Sequence, residues 1–504
     1  MDSNAEGFAQ TVTFNRSESG MLSYVGRVNY SYDDKYLFEF MLRSDASAKF
    51  APQNYWGMFP SWSAGWVISD EKWFDKDKTK IDFLKIRGSF GILGKDNVNA
   101  WLWTQLYTRN PDKGPIFGTN SSTNTSATIR MPKQGVNPDV HWDKTYKTNF
   151  GIDMAFLKNR MSANLDFYYD MGREMFASHQ GTSYYPNTVG IQPAPENFGE
   201  VDTYGVELSL GWKDKIGKDM SYWVKLTTGY NDNKIRETGW KAAYDFDKLV
   251  RNERSDRGLW GYECIGMFRS YQEINEYFDK YSITKYLGNT KENVHPGMLI
   301  YKDVRGQYDE STGTFGPADG IVDEQDYIKI SHRASNPYGG TLNFGFSYKD
   351  FSISAQFGAS WGAYSLVPTT MRKESYSEYS NVSAMWKDMF VYEDIYDANN
   401  IVTVAQNRNA KYPNIRYSSV NGAPSTFWKV SAATVQLRNM TVAYALPKEW
   451  LKIIGISSCR FNLTCQNVFN FLNPYPEGAW ASWAGSYGYY PNLRKFTLGV
   501  NVSF

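Results

Sequence analysis

Over stretch after stretch of this chain, apolar residues occupy every second position. Phe496, Leu498, Val500, Val502 and Phe504 alternate with Thr497, Gly499, Asn501 and Ser503. Leu342, Phe344, Phe346 and Tyr348 alternate with Thr341, Asn343, Gly345 and Ser347. Met161, Ala163, Leu165, Phe167 and Tyr169 do the same against Ser162, Asn164 and Asp166. A period of two sends successive side chains to opposite faces of a β-strand, so each stretch predicts a strand with one greasy and one wet face. The pattern predicts thirteen strands, at 21–32, 35–47, 56–68, 81–93, 144–156, 159–172, 202–213, 219–231, 339–349, 351–362, 430–446, 457–470 and 492–504. Each is close to the length that a tilted strand needs to cross a bilayer. One strand changes phase: Val435 and Leu437 fit one face, Met440, Val442 and Tyr444 the other, which predicts a bulge near Arg438-Asn439.

The connections alternate between short and long. Ser31–Lys35, Leu157–Asn159, Lys213–Lys218, Tyr348–Phe351 and Pro447–Gly455 are short; 94–143, 173–201, 232–338, 363–429 and 471–491 are long. Transmembrane barrels of the outer membrane have this asymmetry, with tight periplasmic turns and long extracellular loops. The expected fold is therefore all-β, an antiparallel transmembrane β-barrel. An odd count of strands ending on Phe504 does not close a barrel, so earlier strands are expected outside this sequence, and Phe504 is the expected assembly signal. The opening Met1-Asp2-Ser3-Asn4-Ala5-Glu6-Gly7 has neither the basic nor the apolar region of a signal peptide. Residues 1–504 are expected to be the C-terminal portion of a longer exported protein.

Composition agrees. Aromatic residues make up 17% and charged residues only 21%, as girdles of Tyr, Phe and Trp around a polar lumen require. The mean hydropathy of −0.53 still fits a membrane protein, because the lumen face offsets the lipid face. No apolar run approaches the roughly 18 residues of a membrane-spanning helix. A net charge of +1, with dispersed basic residues, excludes a nucleic-acid footprint. Cys459 and Cys465 fall on the apolar face of one strand, roughly 20 Å apart by rise, too far for a disulfide.

Enzyme motifs fail in context. Gly358-Ala359-Ser360-Trp361-Gly362 matches a nucleophile elbow, which needs a strand-to-helix turn, but here it completes an alternating strand. The four histidines, His141, His179, His295 and His332, have no metal-pair spacing. Asp33-Asp34 reads as a turn.

An ordered set of motifs then points to a family. Gly26-Arg27-Val28-Asn29-Tyr30-Ser31-Tyr32-Asp33-Asp34-Lys35-Tyr36-Leu37 is followed by Phe59-Pro60-Ser61-Trp62-Ser63-Ala64-Gly65-Trp66 and Leu84-Lys85-Ile86-Arg87-Gly88-Ser89-Phe90-Gly91. Asn137-Pro138 with Trp142, Asn149-Phe150-Gly151, and Gly199-Glu200-Val201 with Tyr204-Gly205-Val206-Glu207-Leu208 come next. The tail supplies Leu437-Arg438-Asn439-Met440-Thr441-Val442-Ala443-Tyr444, Leu446-Pro447 and Gln466-Asn467-Val468-Phe469. Together these resemble the SusC/RagA-type TonB-dependent transporters of Bacteroidetes. The resemblance implies a barrel of about twenty-two strands, of which this chain holds thirteen. It also implies a plug domain and TonB box that are absent here, and contact with the TonB complex through that missing N-terminal region. The implied setting is the cell outer membrane with its lipid, a SusD-like surface lipoprotein as partner, and import of oligosaccharides or peptides. No catalysis and no required cofactor are implied.

The resemblance also directs attention to Lys302-Asp303-Val304-Arg305-Gly306 and Ala318-Asp319-Gly320-Ile321-Val322-Asp323-Glu324-Gln325-Asp326. Relatives often carry a compact EF-hand-like run at this place. Calcium takes six to eight hard oxygens, and Asp303, Asp319, Asp323, Asp326 and the Ile321 carbonyl are its candidate ligands. This chain departs by an insertion and by Arg305 at a ligand position; the alternative is a solvated acidic loop. Trp101, Trp103 and Tyr107, on an expected extracellular hairpin, and Trp480, Trp483 and Tyr487, with Tyr489 and Tyr490, are candidate substrate contacts, because flat rings stack on sugars; loop packing is the alternative. Trp386, in an expected loop helix at Tyr376–Val391, reads as a packing element. Competing readings are a passive pore or surface-binding barrel, and a soluble glycan-binding β protein.

Overall fold

The computed structural model describes residues 19–110, 128–130, 135–178, 193–239, 251–309, 311–373, 383–453, 455–472, 475 and 493–504. Its framework is one thirteen-stranded sheet: β1 (Met21–Tyr32), β2 (Tyr36–Ser47), β3 (Trp56–Val67), β4 (Ile81–Lys95), β5 (Asp143–Phe156), β6 (Met161–Ala177), β7 (Glu196–Ile216), β8 (Met220–Glu237), β9 (Tyr338–Tyr348), β10 (Phe351–Trp361), β11 (Thr434–Ala445), β12 (Ser458–Asn470) and β13 (Lys495–Ser503). Every strand pairs antiparallel with its neighbours in chain order. Short turns lie at one end and long connections at the other. Asp33 and Asp34, at φ 54° and 53°, make the tight β1–β2 turn, with Lys35 N–H donating to the Tyr32 carbonyl. Two successive left-handed residues match the twist of a hairpin.

The register aligns the alternation across strands. Phe167 faces Val206, Val206 faces Tyr230, Tyr230 faces Tyr338 and Tyr338 faces Trp361, a continuous row on one side of the sheet. Phe461, Leu463 and Cys465 face Val500, Leu498 and Phe496 on the same side. These positions do not pack against a helix or a second sheet. Phe496 is 66% and Leu498 73% exposed, as a wall solvated by lipid requires. Aromatic rings stack along it at both ends: Tyr36 on Trp66 at the turn end, Tyr169 on Tyr204 and Tyr338 on Trp361 at the loop end. Among the described residues no helix is long and apolar enough to cross a membrane.

The bulge falls where the phase change put it. Gln356 pairs with Asn439 and Phe357 with Leu437, leaving Arg438 unpaired. Cys459 and Cys465 are free and buried. β7 and β8 run longer than their alternation indicated. Beyond Tyr204 and Tyr230 the outward positions carry Asp202, Asp232, Lys234 and Arg236, so the strands continue while the apolar signal stops. The expected strand at 430–446 is two elements: Lys429–Ser431 pairs with Tyr364–Leu366 among the loops, and β11 begins at Thr434.

The long connections 232–338 and 363–429 fold together. Tyr262, Phe268, Tyr286, Leu299 and Tyr301 from the first pack with Met371, Trp386, Phe390, Val420 and Trp428 from the second in one hydrophobic core. Its longest helix among the described residues, α1 (Tyr271–Tyr281), is capped by Ser270 Oγ accepting from Glu273 N–H and buries Ile274, Tyr277 and Phe278. Of the expected helix at Tyr376–Val391 the described part is a 3-10 turn at Ala384–Asp388, and Trp386 is buried, packing on Tyr412 and Trp428.

Candidate functional site

The face opposite the apolar wall is polar and bonded across strands. Arg87 on β4 reaches Asp153 on β5 (3.1 Å) and Asp166 on β6 (2.7 Å), while Asn164 donates to Asp153 at 2.8 Å. Arg27 pairs with Glu39 between β1 and β2, and Lys147 with Asp170 between β5 and β6 at 2.5 Å. A concavity of about 660 Å³ opens along this side, with Glu39, Ser63, Ser89, Asn149, Asp170 and Glu207 among its lining. Carboxylates, hydroxyls and amides in such a wall present directional hydrogen bonds to a hydrophilic solute. Ser360 also lies on this polar side. It accepts from Asn336 at 3.1 Å and sits 2.9 Å from Thr434 Oγ1, on strand β10 and not on a strand-to-helix turn.

Above the loop end, the shared core holds Asn421 and Arg372 by internal bonds, while the Trp386 indole N–H is buried with no partner. Asn421, fully buried, accepts from Leu299 N–H and donates to the Gly297 and Asn414 carbonyls. The buried Arg372 guanidinium donates to the Val367 and Gly422 carbonyls and to Thr369 Oγ1. Burial pushes the Tyr286 phenol well above its ordinary value and the Cys264 thiol up to about 11. Neither is set up as a proton donor or nucleophile near neutral pH.

The four candidate calcium ligands are drawn to one loop, where each carboxylate accepts from a backbone N–H, while the buried Asp303 Oδ1 and Gln325 Oε1 carry no hydrogen-bond partner. Asp326 accepts from Val304, Arg305 and Asp323 N–H groups at 2.7, 3.1 and 2.9 Å. Asp303 accepts from Gly320 N–H, Asp319 from Ile321 N–H and Asp323 from Gln325 N–H. Ile321 sits in a short parallel pairing with Lys285. The insertion folds as a hairpin, Arg305–Asp309 with Thr314–Pro317, and Arg305 stacks on Phe315 while donating to the Gln325 and Tyr327 carbonyls. Among the described residues no group of three or more His, Cys, Asp or Glu side chains is placed to hold a metal. As arranged, main-chain N–H groups engage at least one oxygen of each carboxylate, and Arg305 is held by carbonyls and the Phe315 ring.

Trp101 and Trp103 do not alternate on a hairpin. They lie in the turn preceding the Thr108–Asn110 strand, Trp101 with φ 69°, and their rings are 5.8 Å apart. Trp101 and Tyr107 are exposed. Trp480, Trp483 and Tyr487, with Tyr489 and Tyr490, lie outside the described residues. Phe504 is exposed at the end of β13. The polar wall was implicit in the alternation; the joint loop core was missed. Its signal was Ser270-x-x-Glu273 followed by Ile274, Tyr277, Phe278 and Tyr281, a helix start with apolar residues at helical spacing.

No protein-family model matches the chain. It is 24% identical over 518 residues to the TonB-dependent receptor P39 of Formosa agariphila, covering 96% of this chain and 46% of that protein. It is 26% identical over 503 residues to the TonB-dependent receptor SusC of Bacteroides thetaiotaomicron, covering 96% and 44%. The RagAB peptide transporter structure superposes with a TM-score of 0.68 at 19% identity, over 96% of this chain and 48% of that one. The chain spans about half the length of the proteins that it matches.

Proposed function

Starting from a chain with the sequence and the fold of a SusC/RagA-type TonB-dependent receptor barrel, we propose that it forms the C-terminal part of the wall of an outer-membrane importer of large nutrients. The carrying observation is the two-faced sheet. Its outward rows are apolar and exposed, and its inner side is a bonded polar surface with a concavity of about 660 Å³. Lipid on one side and a hydrated solute on the other is the division of labour of a transport barrel.

The reading assigns oligosaccharides or peptides as substrates, TonB as the source of energy, and a SusD-like lipoprotein as partner at the loop end. The chain's upstream remainder supplies the plug and the other strands. The reading assigns substrate contact to Trp101, Trp103 and Tyr107 at the loop end, and to Trp480, Trp483 and Tyr487. Phe504 marks the strand for assembly into the outer membrane. The test is uptake of size-graded labelled oligosaccharides and peptides by cells with and without the full-length gene, each with TonB active or inactivated. Uptake that needs both supports the reading. Uptake indifferent to TonB would make the protein a passive pore, and unchanged uptake on gene loss would remove the transport role.

A further inference from the structure

Above the tyrosine row of the loop end, the outward face of the wall changes character. On β7 and β8 the positions in phase with Tyr204 and Tyr230 become Asp202, Asp232, Lys234 and Arg236. On β6 the position in phase with Tyr169 and Met171 is Arg173, whose guanidinium sits 2.7 Å from Asp202 Oδ1. Arg236 Nε donates to Asp202 Oδ2 at 2.5 Å and its Nη2 reaches the Tyr169 hydroxyl at 3.4 Å. Arg333 repeats the arrangement one strand over, 2.6 Å from Asp232 Oδ2 and 3.3 Å from the Tyr230 hydroxyl, with Arg254 at 3.9 Å. Lys234 is the register partner of Asp202.

Two features make this a surface for an anion. The carboxylates lie beneath and the cations on top: the Asp202 and Asp232 side chains are 2% and 8% exposed, those of Arg173, Arg236, Arg254 and Arg333 between 17% and 36%. Among the described residues the five cations are set against Asp202, Asp232, Glu200, 3.6 Å from Arg173, and Asp256, which accepts from the Ala334 and Ser335 N–H groups beside Arg333, so positive charge is in excess. The Arg236 and Arg333 guanidiniums also touch the phenols of the aromatic girdle, which sets their height at the boundary between hydrocarbon and headgroups. Planar arginine forks at that height match phosphate.

We propose that Arg173, Lys234, Arg236, Arg254 and Arg333 form a binding site for the phosphate of an outer-leaflet lipid, seated against the outside of the wall above Tyr169 and Tyr230. The lipid's chains lie on the apolar rows below, continuous with the site. The site holds the barrel at a set height and ties the extended ends of β6, β7 and β8 to the membrane surface. It rests on the wall being membrane-spanning, but not on transport.

The test uses the full-length protein in nanodiscs doped with diphosphoryl lipid A or its phosphate-free counterpart, with retained lipid counted by native mass spectrometry. The phosphorylated form is expected to be retained preferentially. Arg173→Gln/Arg236→Gln/Arg333→Gln should lower that preference by roughly fivefold per cation removed. Arg173→Lys/Arg236→Lys/Arg333→Lys should keep most of it. Lys234→Gln/Arg254→Gln, which leaves the bonds to Asp202 and the 2.6 Å pair to Asp232 intact, should lower it without a loss of folding. Equal retention of both lipids by the native protein, or a preference unchanged in the Gln variants, overturns the site. Failure to float with bilayers at all would instead strike the membrane-spanning reading.

Discussion

Arg87 and Asp166 are separated by 79 positions in the chain, yet the guanidinium of one donates to the carboxylate of the other at 2.7 Å across the intervening strand β5. The same guanidinium holds Asp153 at 3.1 Å and Asn149 at 3.2 Å, so one side chain ties three strands on the wet face. Replacing it with Met strips Asp166 of the guanidinium and leaves Asp153 to Lys85, its register partner on β4. The Arg87 side chain is a third exposed, so the loss is smaller than for a fully buried pair. Arg87→Met in the full-length protein should destabilise the barrel by about 2 kcal/mol, the scale of charged hydrogen bonds. Urea unfolding in detergent measures this. Arg87→Met/Asp166→Asn should recover part of the loss; an undiminished midpoint in Arg87→Met would show that the network is decorative.

The loop core offers a second test, at Asn421. Its carboxamide joins the Gly297–Leu299 segment to Asn414, and its own carbonyl accepts from the Trp428 indole at 2.7 Å. Asn421→Leu keeps the volume but takes the side-chain acceptor from the buried Leu299 N–H and one of two donors from each of the Gly297 and Asn414 carbonyls, which keep the Asn414 and Tyr417 N–H groups. About 3 kcal/mol is expected to be lost, on the scale of stranded buried polar groups. The loss should be local. Limited proteolysis should cut within 251–309 and 383–429 while the wall strands stay protected. Cleavage unchanged from the native pattern would mean that the two connections do not depend on this joint.

Legibility followed periodicity. β1, with every second residue facing lipid, was readable to its last residue, and the Arg438 bulge could be placed from the phase of Leu437 against Met440 alone. The loop body has no period, because its core is assembled from residues as distant as Tyr262 and Trp428 on irregular backbone. The ends of β7 and β8 escaped notice for a different reason. Their outward positions turn from apolar to charged there, so Asp232 and Arg236 replace the apolar residues on which the reading depends. The acidic run from Asp303 to Asp326 has the composition of a calcium loop. What separates it from one is the backbone hydrogen bonding of each carboxylate, which spacing alone does not display.

That carboxylate cluster should respond to protons. Burial raises the carboxyls of both Asp303 and Asp326 above the ordinary 3.8, and for Asp303 the neighbouring Asp319 charge adds to it. Between the ordinary value and the raised folded one, the folded loop binds more protons than the unfolded chain. Its stability therefore falls as pH rises through that window and stays lower above it. Hydrogen-exchange protection factors across 303–327, with the intrinsic pH dependence of exchange divided out, should be larger at the acid end of the window than at neutral pH. Asp303→Asn should flatten the dependence. Added calcium should leave the exchange of this segment and the melting temperature of the full-length protein unchanged. A calcium-dependent rise in melting temperature would restore the ion-binding alternative.

The two faces of the wall can be separated by chemistry at adjacent positions on β13. Leu498 stands on the exposed apolar row, paired across from Leu463, and Thr497 on the opposite side, paired with Thr464. Cys459 and Cys465 are free but buried, so labelling starts from a low background once Cys264 is replaced by Ser. In the full-length protein in bilayers, Leu498→Cys should react with an apolar maleimide and resist a charged, water-soluble one, because it faces hydrocarbon. Thr497→Cys should do the reverse, because it faces a wet interior. The contrast should recur at Val500 and Asn501. Equal reactivity of Leu498→Cys and Thr497→Cys towards the charged reagent would mean that water bathes both sides of the sheet, and the transport reading would lose its physical basis.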